Sequence, residues 1–345
     1  MKVLVTGHHG YIGSVTAPLL LEAGHKVVGL DTFYYRGSDF GHDALHVPAL
    51  TADVRDVGPA DLDGFDAVVH LAALSNDPLG DLRSDWTYDI NLEGTLSLAR
   101  AAREAGLGRF VFASSCSMYG AASEDELLDE TAALRPLTPY AETKVRAEEA
   151  LWELAGDTFS PISMRNATAY GVSPRLRLDV VLNNLAAWAH TTGKIRLLSD
   201  GSAWRPLVHV VDIAGATLGL LEAPRDVVHA QAFNIGSAAQ NVRIRDLASA
   251  LQVVLDCEVE TSEEATPDPR SYRVDFGKLE RALPSFACEY TVDRGAEELA
   301  EAYAIVGLTR AQFLDEGRYT RLAQLRRLLD QGALDDRLRW REAAD

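Results

Sequence analysis

The chain has 345 residues, with 33 lysines and arginines against 51 aspartates and glutamates, a formal charge of −18. That acidic surplus excludes a general affinity for nucleic acid or anionic membrane, because both need a basic face. Its length allows about two domains, and with 47% hydrophobic residues it reads as an ordinary soluble protein in which no apolar run reaches the ~20 residues of a membrane helix.

The chain opens on an apolar strand at 2–6, which runs into a glycine turn and then a helix over 12–23. This start breaks into glycines too soon for a signal peptide, so a cytoplasmic protein is expected. Further strands are predicted at 26–30, 67–72 and 109–114, with a helix at 89–105. Strand–helix alternation with continuous apolar strands gives the fold class: α/β, a doubly wound parallel sheet (Rossmann) with a smaller, mixed α/β substrate-binding domain. Pro18 falls inside the first helix and should remove a hydrogen bond or kink it. The second half reads as a helix at 178–192, strands at 194–198, 208–211 and 232–235, and a helix at 243–255. After Gly307 the chain is charged and helix-prone, a peripheral helix pair at 319–329 and 333–340. The domain reading is 1–175 as dinucleotide-binding domain, with 205–240 returning to it. Residues 176–204 and 241–307 form the substrate domain, and 308–345 a helical tail. Cys116, Cys257 and Cys288 are odd in number and widely spaced, which fits a reducing cytosol. No metal-ligand spacing occurs among the nine histidines, so no metal is expected.

Gly7, Gly10 and Gly13 punctuate the turn between the first strand and helix. Backbone N–H groups and the helix dipole at that place can hold a pyrophosphate. The second strand ends at Asp31, 18 residues past Gly13. A carboxylate there accepts hydrogen bonds from an adenosine ribose and repels a 2′-phosphate, which favours NAD over NADP with only Arg36 nearby to counter it. Tyr140 and Lys144 lie four residues apart on a helix start, hence on one face. A phenol near pKa ~10 is a poor base at neutral pH, but a cation within ~4–6 Å lowers it by about 1–3 units. Such a tyrosine can take a proton from an alcohol while hydride leaves. Taken alone, the same pair also suits an exposed helix. The strand at 109–114 runs on into hydroxyls, Ser114, Ser115 and Ser117, at a strand end that faces the ligand crevice.

In combination, TGHHGYIG, the LD at 30–31, ADVRD at 52–56, HLAA at 70–73, SSCSMYG, YAETK and WRPLVHVVD at 204–212 resemble the extended short-chain dehydrogenase/reductases, in particular the NAD-dependent nucleotide-sugar epimerases and dehydratases. The likeness runs from residue 1 to about 293. It implies Ser115 as catalytic hydroxyl, Tyr140 as acid/base, and Lys144 as the residue that holds the nicotinamide ribose and tunes the tyrosine. The cofactor would lie on Gly7, Gly10, Tyr11, Ile12 and Gly13, with Asp31 at the ribose and Asp53 and Val54 at the adenine. Leu71, Ala72 and Ala73 would wall it, with Asn91 behind. Ser117 and Thr168 would face the sugar, and Asn184, Arg205 and Arg270 would grip the nucleotide diphosphate. Thr168 replaces an asparagine that commonly touches substrate in the family.

The family's 4,6-dehydratases carry Asp-Glu after the catalytic hydroxyl, where this chain has Cys116 and Ser117. The related decarboxylases keep a Glu at the second position, and the 3,5-epimerising relatives a Cys there. One residue on a strand turns a side chain to the other face, so Cys116 is expected to pack. The resemblance therefore implies chemistry on a nucleotide-diphosphate sugar through a 4-keto intermediate, foremost C4 epimerisation by tightly held NAD. An NAD(P)H-dependent 4-ketoreductase of a deoxysugar stands as the alternative, a 4,6-dehydratase behind it. It also implies a homodimer packed through the helices at 89–105 and 140–155. A non-catalytic relative would be expected to lack Tyr140 and Lys144.

Overall fold

The computed structural model describes residues 1–41, 46–75, 83–123, 126–266, 268 and 270–341. Seven strands build the central sheet: β1 (Lys2–Thr6), β2 (Lys26–Asp31), β3 (Ala49–Thr51), β4 (Ala67–His70), β5 (Arg109–Ser115), β6 (Ser160–Asn166) and β7 (Gln231–Ile235). All are parallel, in the spatial order β3-β2-β1-β4-β5-β6-β7. The winding reverses between β1 and β4, and an open α/β sheet binds its ligand outside the carboxyl ends of the strands at such a point. Every residue of β4 and β6 is buried, as continuous apolar strands under helices on both faces require.

Alternation along β1 shows the two faces. Val3 and Val5 pack with Ala17 and Leu20 of α1 (Gly13–Glu22), whereas Leu4 packs with Leu98 of α2 (Gly94–Glu104) and Leu151 of α3 (Pro139–Leu154). Pro18 stands inside α1 as the sequence demands, so that turn lacks the amide bond to Ser14 O. The helix expected over 89–105 opens as a wide π-turn, Tyr88–Glu93, before α2 begins.

A second core gathers α4 (Val181–Thr192), whose Leu182 and Leu185 meet residues of later elements. The segment expected as a strand over 208–211 is instead a strand at Trp204–His209, where His209 caps α5 (Val210–Glu222) by accepting the Val211 N–H at 3.3 Å. Leu247 and Leu251 of α6 (Ile244–Leu255) and Leu299 and Tyr303 of α7 (Val292–Val306) complete that core.

The tail departs from the helix pair. α8 (Arg321–Asp330) forms, but 333–340 is irregular and closes on itself by a bridge between Leu334 and Trp340. Asp335 explains the break: its Oδ1 accepts the N–H of Arg337 at 2.9 Å and of Arg339 at 2.8 Å, a local turn that competes with helix. Leu325, Leu334 and Leu338 are buried against Tyr34, Leu74, Trp86 and Ile90 of the sheet domain.

Candidate active site

The β1/β4 register pairs Thr6 with His70, so Gly7 and Leu71 leave the sheet side by side. Gly7 has φ +70, and a Cβ there would stand 2.7 Å from Ala72 N. A Cβ on Gly13 would stand 2.1 Å from Gly7 O, so the turn closes only around glycine. α1 then starts with no side-chain cap and no acid in its first turn, which leaves its positive end to an anion. Tyr11 is spent on structure: its hydroxyl donates to Gly171 O at 2.7 Å and receives Asn183 Nδ2 at 3.3 Å. Asp31 accepts the N–H of His9 at 3.1 Å and of Phe33 at 2.7 Å. Burial pushes its carboxyl up against the pull of those amides and of His8.

At the far end of the same crevice, Thr138 caps α3 by accepting the Ala141 N–H at 3.2 Å, with Pro139 in the first turn. That sets Tyr140 at the mouth and Lys144 one turn inside. Lys144 is 3% exposed, its Nζ donates to Ala113 O at 2.6 Å and lies 5.6 Å from the Tyr140 ring centre. Burial pulls the Lys144 ammonium down to about 7, with Glu148 one turn on pulling it back up. The fixed cation expected from sequence is therefore, in this cavity, only partly charged near neutral pH. On β5 the Ser115 hydroxyl donates to Ser117 Oγ at 2.9 Å and accepts the Ser117 N–H at 3.1 Å.

One cavity joins these ends. Its walls include Gly7, Gly10, Tyr11, Ile12, Gly13 and Asp31 at one side and Ser115, Tyr140, Lys144 and Thr168 at the other. Asp53, Val54, Leu71, Ala72 and Ala73 lie along it. Asn91 is set behind this wall, where it holds the Leu74 backbone by accepting its N–H at 2.8 Å and donating to its carbonyl at 3.0 Å. Ser117, Asn184, Arg205 and Arg270 are not wall residues of this cavity. Asn184 donates to Leu178 O at 2.7 Å. Arg205 and Arg270, 65 positions apart in the chain, meet at Asp268, whose Oδ2 lies 2.6 Å from Arg205 Nη2 and 3.2 Å from Arg270 Nη2. Burial pushes Asp268 up, but the Arg270 hydrogen bond and the Arg205 charge hold it below the usual carboxylate range. Cys116 is buried with its thiol pushed up by burial and turned to Arg165 O at 3.0 Å, so it packs as expected, but not for the strand reason: β5 ends at Ser115 and Cys116 opens a 3-10 turn.

Several wall residues were invisible to motif reading: Thr32, Tyr34, Tyr35, Leu74, Arg177 and Arg321. Trp340, an aromatic in a charged tail, is a cue that the tail docks; its Nε1 donates to Thr32 O at 2.6 Å. His70 is structural. Its ring bridges Thr6 Oγ1 at 2.7 Å and Thr95 Oγ1 at 2.9 Å, and burial holds it neutral, down to about 3.

Residues 3–236 match the NAD dependent epimerase/dehydratase family. The chain belongs to that family. It is 29% identical to a UDP-glucose 4-epimerase of Bacillus subtilis over 331 residues, 87% of this chain and 94% of the relative. To a UDP-glucose 4-epimerase of Corynebacterium glutamicum it is 31% identical, over 69% of this chain and 75% of the relative. Among solved structures, MoeE5 in complex with UDP-glucuronic acid and NAD superposes with a TM-score of 0.77 at 27% identity, covering 88% of this chain and 99% of that one.

The family's cofactor is NAD, and the cavity fits it. The glycine turn is a cradle that any Cβ would fill. At the other end Ser114 Oγ and Asn166 Oδ1 are buried wall atoms with no hydrogen-bond partner among the described residues, polar positions that a bound polar group satisfies. Among the described residues no cluster of side chains suits a metal ion, and no helix is long and apolar enough to cross a membrane.

Proposed function

We propose that this protein is a C4 epimerase of a nucleotide-diphosphate hexose, with a UDP-sugar as substrate. The observation that carries the reading is the single cavity that runs from the glycine turn and Asp31 to Ser115, Tyr140 and Lys144. Two of the relatives named above are UDP-glucose 4-epimerases and the third was solved with UDP-glucuronic acid, which points to the uridine nucleotide.

NAD, when bound, supplies the hydride acceptor and donor. The side chains supply the rest. Tyr140 takes the proton of the sugar 4-hydroxyl and returns it, and Ser115 hydrogen-bonds the same oxygen. Lys144 adjusts the tyrosine through its charge and stands where the nicotinamide ribose would be held. Gly7 to Gly13 receive the pyrophosphate, Asp31 the adenosine ribose, and Asp53 and Val54 the adenine edge. Thr168, a wall residue, would face the sugar, and Ser117 would act from behind Ser115, to which it is hydrogen-bonded. Arg205 and Arg270 hold the substrate diphosphate by exchanging Asp268 for phosphate oxygens, with Asn184 as a further contact. Epimerisation needs no acid beyond these, which suits Cys116 and Ser117 where the dehydratase pattern has two carboxylates.

We also infer a cytoplasmic homodimer. The three cysteines are all free, which suits a reducing compartment. Helices α2 and α3 are the faces that would pack, and light scattering of the purified protein tests the dimer.

The function is tested by incubating the protein as purified with UDP-glucose and, separately, with UDP-galactose. Interconversion of the two with no added cofactor is the expected result. Stoichiometric consumption of NADH or NADPH would replace it with a ketoreductase, and loss of water from the sugar with a dehydratase.

A further inference from the structure

Among the described residues the tail touches the cofactor cavity at several separate places, Gln324 Nε2 on Tyr34 O at 3.0 Å being one. Arg321 at the start of α8 is itself a wall residue, between Arg177 and the Asp31–Tyr35 segment. Leu338 O accepts the hydroxyl of Tyr34, another wall residue. Trp340 bonds Thr32, and Arg339 lies 3.3 Å from the carboxylate of Asp53. The matched family region ends at residue 236, so this segment lies outside it.

Arg321 differs from Arg177, the other buried arginine of this wall. Arg177 is paired to Asp179 at 2.9 Å, and Arg175, which does not line the cavity, is paired to Asp39. The Arg321 guanidinium is buried, donates to Arg175 O at 2.8 Å and stacks 4.2 Å from the Tyr35 ring centre; its backbone N–H reaches Asp179 Oδ2 at 3.4 Å, but among the described residues the guanidinium itself has no carboxylate within ion-pair distance. Burial, with Arg177 and Arg175 close by, pulls it down to about 10 against the opposing pull of Tyr35 and Asp179. A buried guanidinium that shares its nearest carboxylates with other groups and has no direct ion pair is costly unless an anion completes it. The only anionic groups of NAD are its two phosphates, and the glycine turn that receives them lines the same cavity.

We propose that Arg321 binds the diphosphate of NAD, and that residues 318–341 form a strap that belongs to the cofactor site. The strap makes NAD a retained group, because the adenosine half of the cavity is closed by a segment more than 280 positions from Phe33 in the chain. This rests on the family's use of NAD. A wild-type protein that binds no NAD would refute that use, whereas the comparisons below refute only the strap.

The test measures the affinity of cofactor-free protein for ADP-ribose and for adenosine by calorimetry, in the wild type and in Arg321→Gln. The variant is expected to bind ADP-ribose tenfold or more weakly, since a charge-assisted hydrogen bond is worth about 1.5–3 kcal/mol, and adenosine within twofold of wild type. Unchanged ADP-ribose affinity, or an equal loss for both ligands, overturns the assignment. Hydrogen exchange on wild-type protein serves if the variant does not fold. ADP-ribose should slow amide exchange across 318–341; equal exchange with and without ADP-ribose overturns the proposal.

Discussion

The two halves of the cavity are built in opposite ways. The catalytic half is local: Ser115 and Ser117 share one turn, and Tyr140 and Lys144 share one helix face. The adenosine half is assembled from the ends of the chain, with Tyr34 bonded to Leu338 across 304 positions and Thr32 to Trp340 across 308. Chemistry here is carried by short motifs, and retention of the cofactor by long-range packing. Substitutions in one half should therefore leave the function of the other largely intact.

The largest effect that separates them is expected from Tyr140→Phe. Losing a positioned acid/base removes about 10²–10⁴ in turnover, while NAD released on denaturation should still match the wild-type amount per chain. Turnover within tenfold of wild type would break the assignment of the catalytic half.

Lys144→Met probes the cost that the catalytic half imposes on folding. The ammonium is pulled from its ordinary 10.5 to about 7, so below pH 7 both folded and unfolded states hold the proton and the full cost of burying it is present. As pH rises from about 7 to 10.5 the folded state has shed the proton and the unfolded state still binds it, so wild-type stability rises over this window. Relative to wild type, the cofactor-free Met variant should be most favoured below pH 7, and that advantage should shrink by on the order of 4 kcal/mol toward pH 10.5. Denaturant melts at several pH values check it; a constant difference between the two proteins would contradict it.

Leu338→Ala addresses the other half. Leu338 is fully buried, and its truncation should cost about 2–4 kcal/mol of tail docking. The variant should purify with little NAD and regain turnover when NAD is added in excess, with Ser115, Tyr140 and Lys144 untouched. Full NAD content after purification would show that the strap does not retain it.

The smallest effect is expected from Arg205→Ala. Arg270 remains beside Asp268, so the apparent KM for UDP-sugar should rise about tenfold, the loss of one charged hydrogen bond, with kcat nearly unchanged. An unchanged KM would place the substrate diphosphate elsewhere.

What could be read from sequence follows the same division. The glycine turn, Asp31 and the Tyr140–Lys144 pair are each fixed by spacings of a few residues, or by one strand length, and these were legible. The strand order was legible in kind, because alternating apolar strands and helices have few right-handed solutions. The tail was not. Its charged, helix-prone composition reads as two helices, yet Asp335 turns the chain and Leu338 inserts under Tyr34, which depends on partners hundreds of positions away. Nor could Arg321 be singled out, since a surface arginine and a buried wall arginine look alike in sequence. Lys144 shows the converse: its place was legible, but its lowered pKa comes from burial by the whole fold.

The central claim is that one cavity lets Tyr140 and NAD oxidise C4 of a nucleotide sugar and reduce it again without exchange. It is tested most directly with UDP-galactose deuterated at C4, incubated with protein as purified and followed by NMR of the products. The account predicts UDP-glucose with the deuterium still at C4 and no net change in cofactor redox state. Loss of the label to solvent, or product formed only with added reduced cofactor, would contradict it.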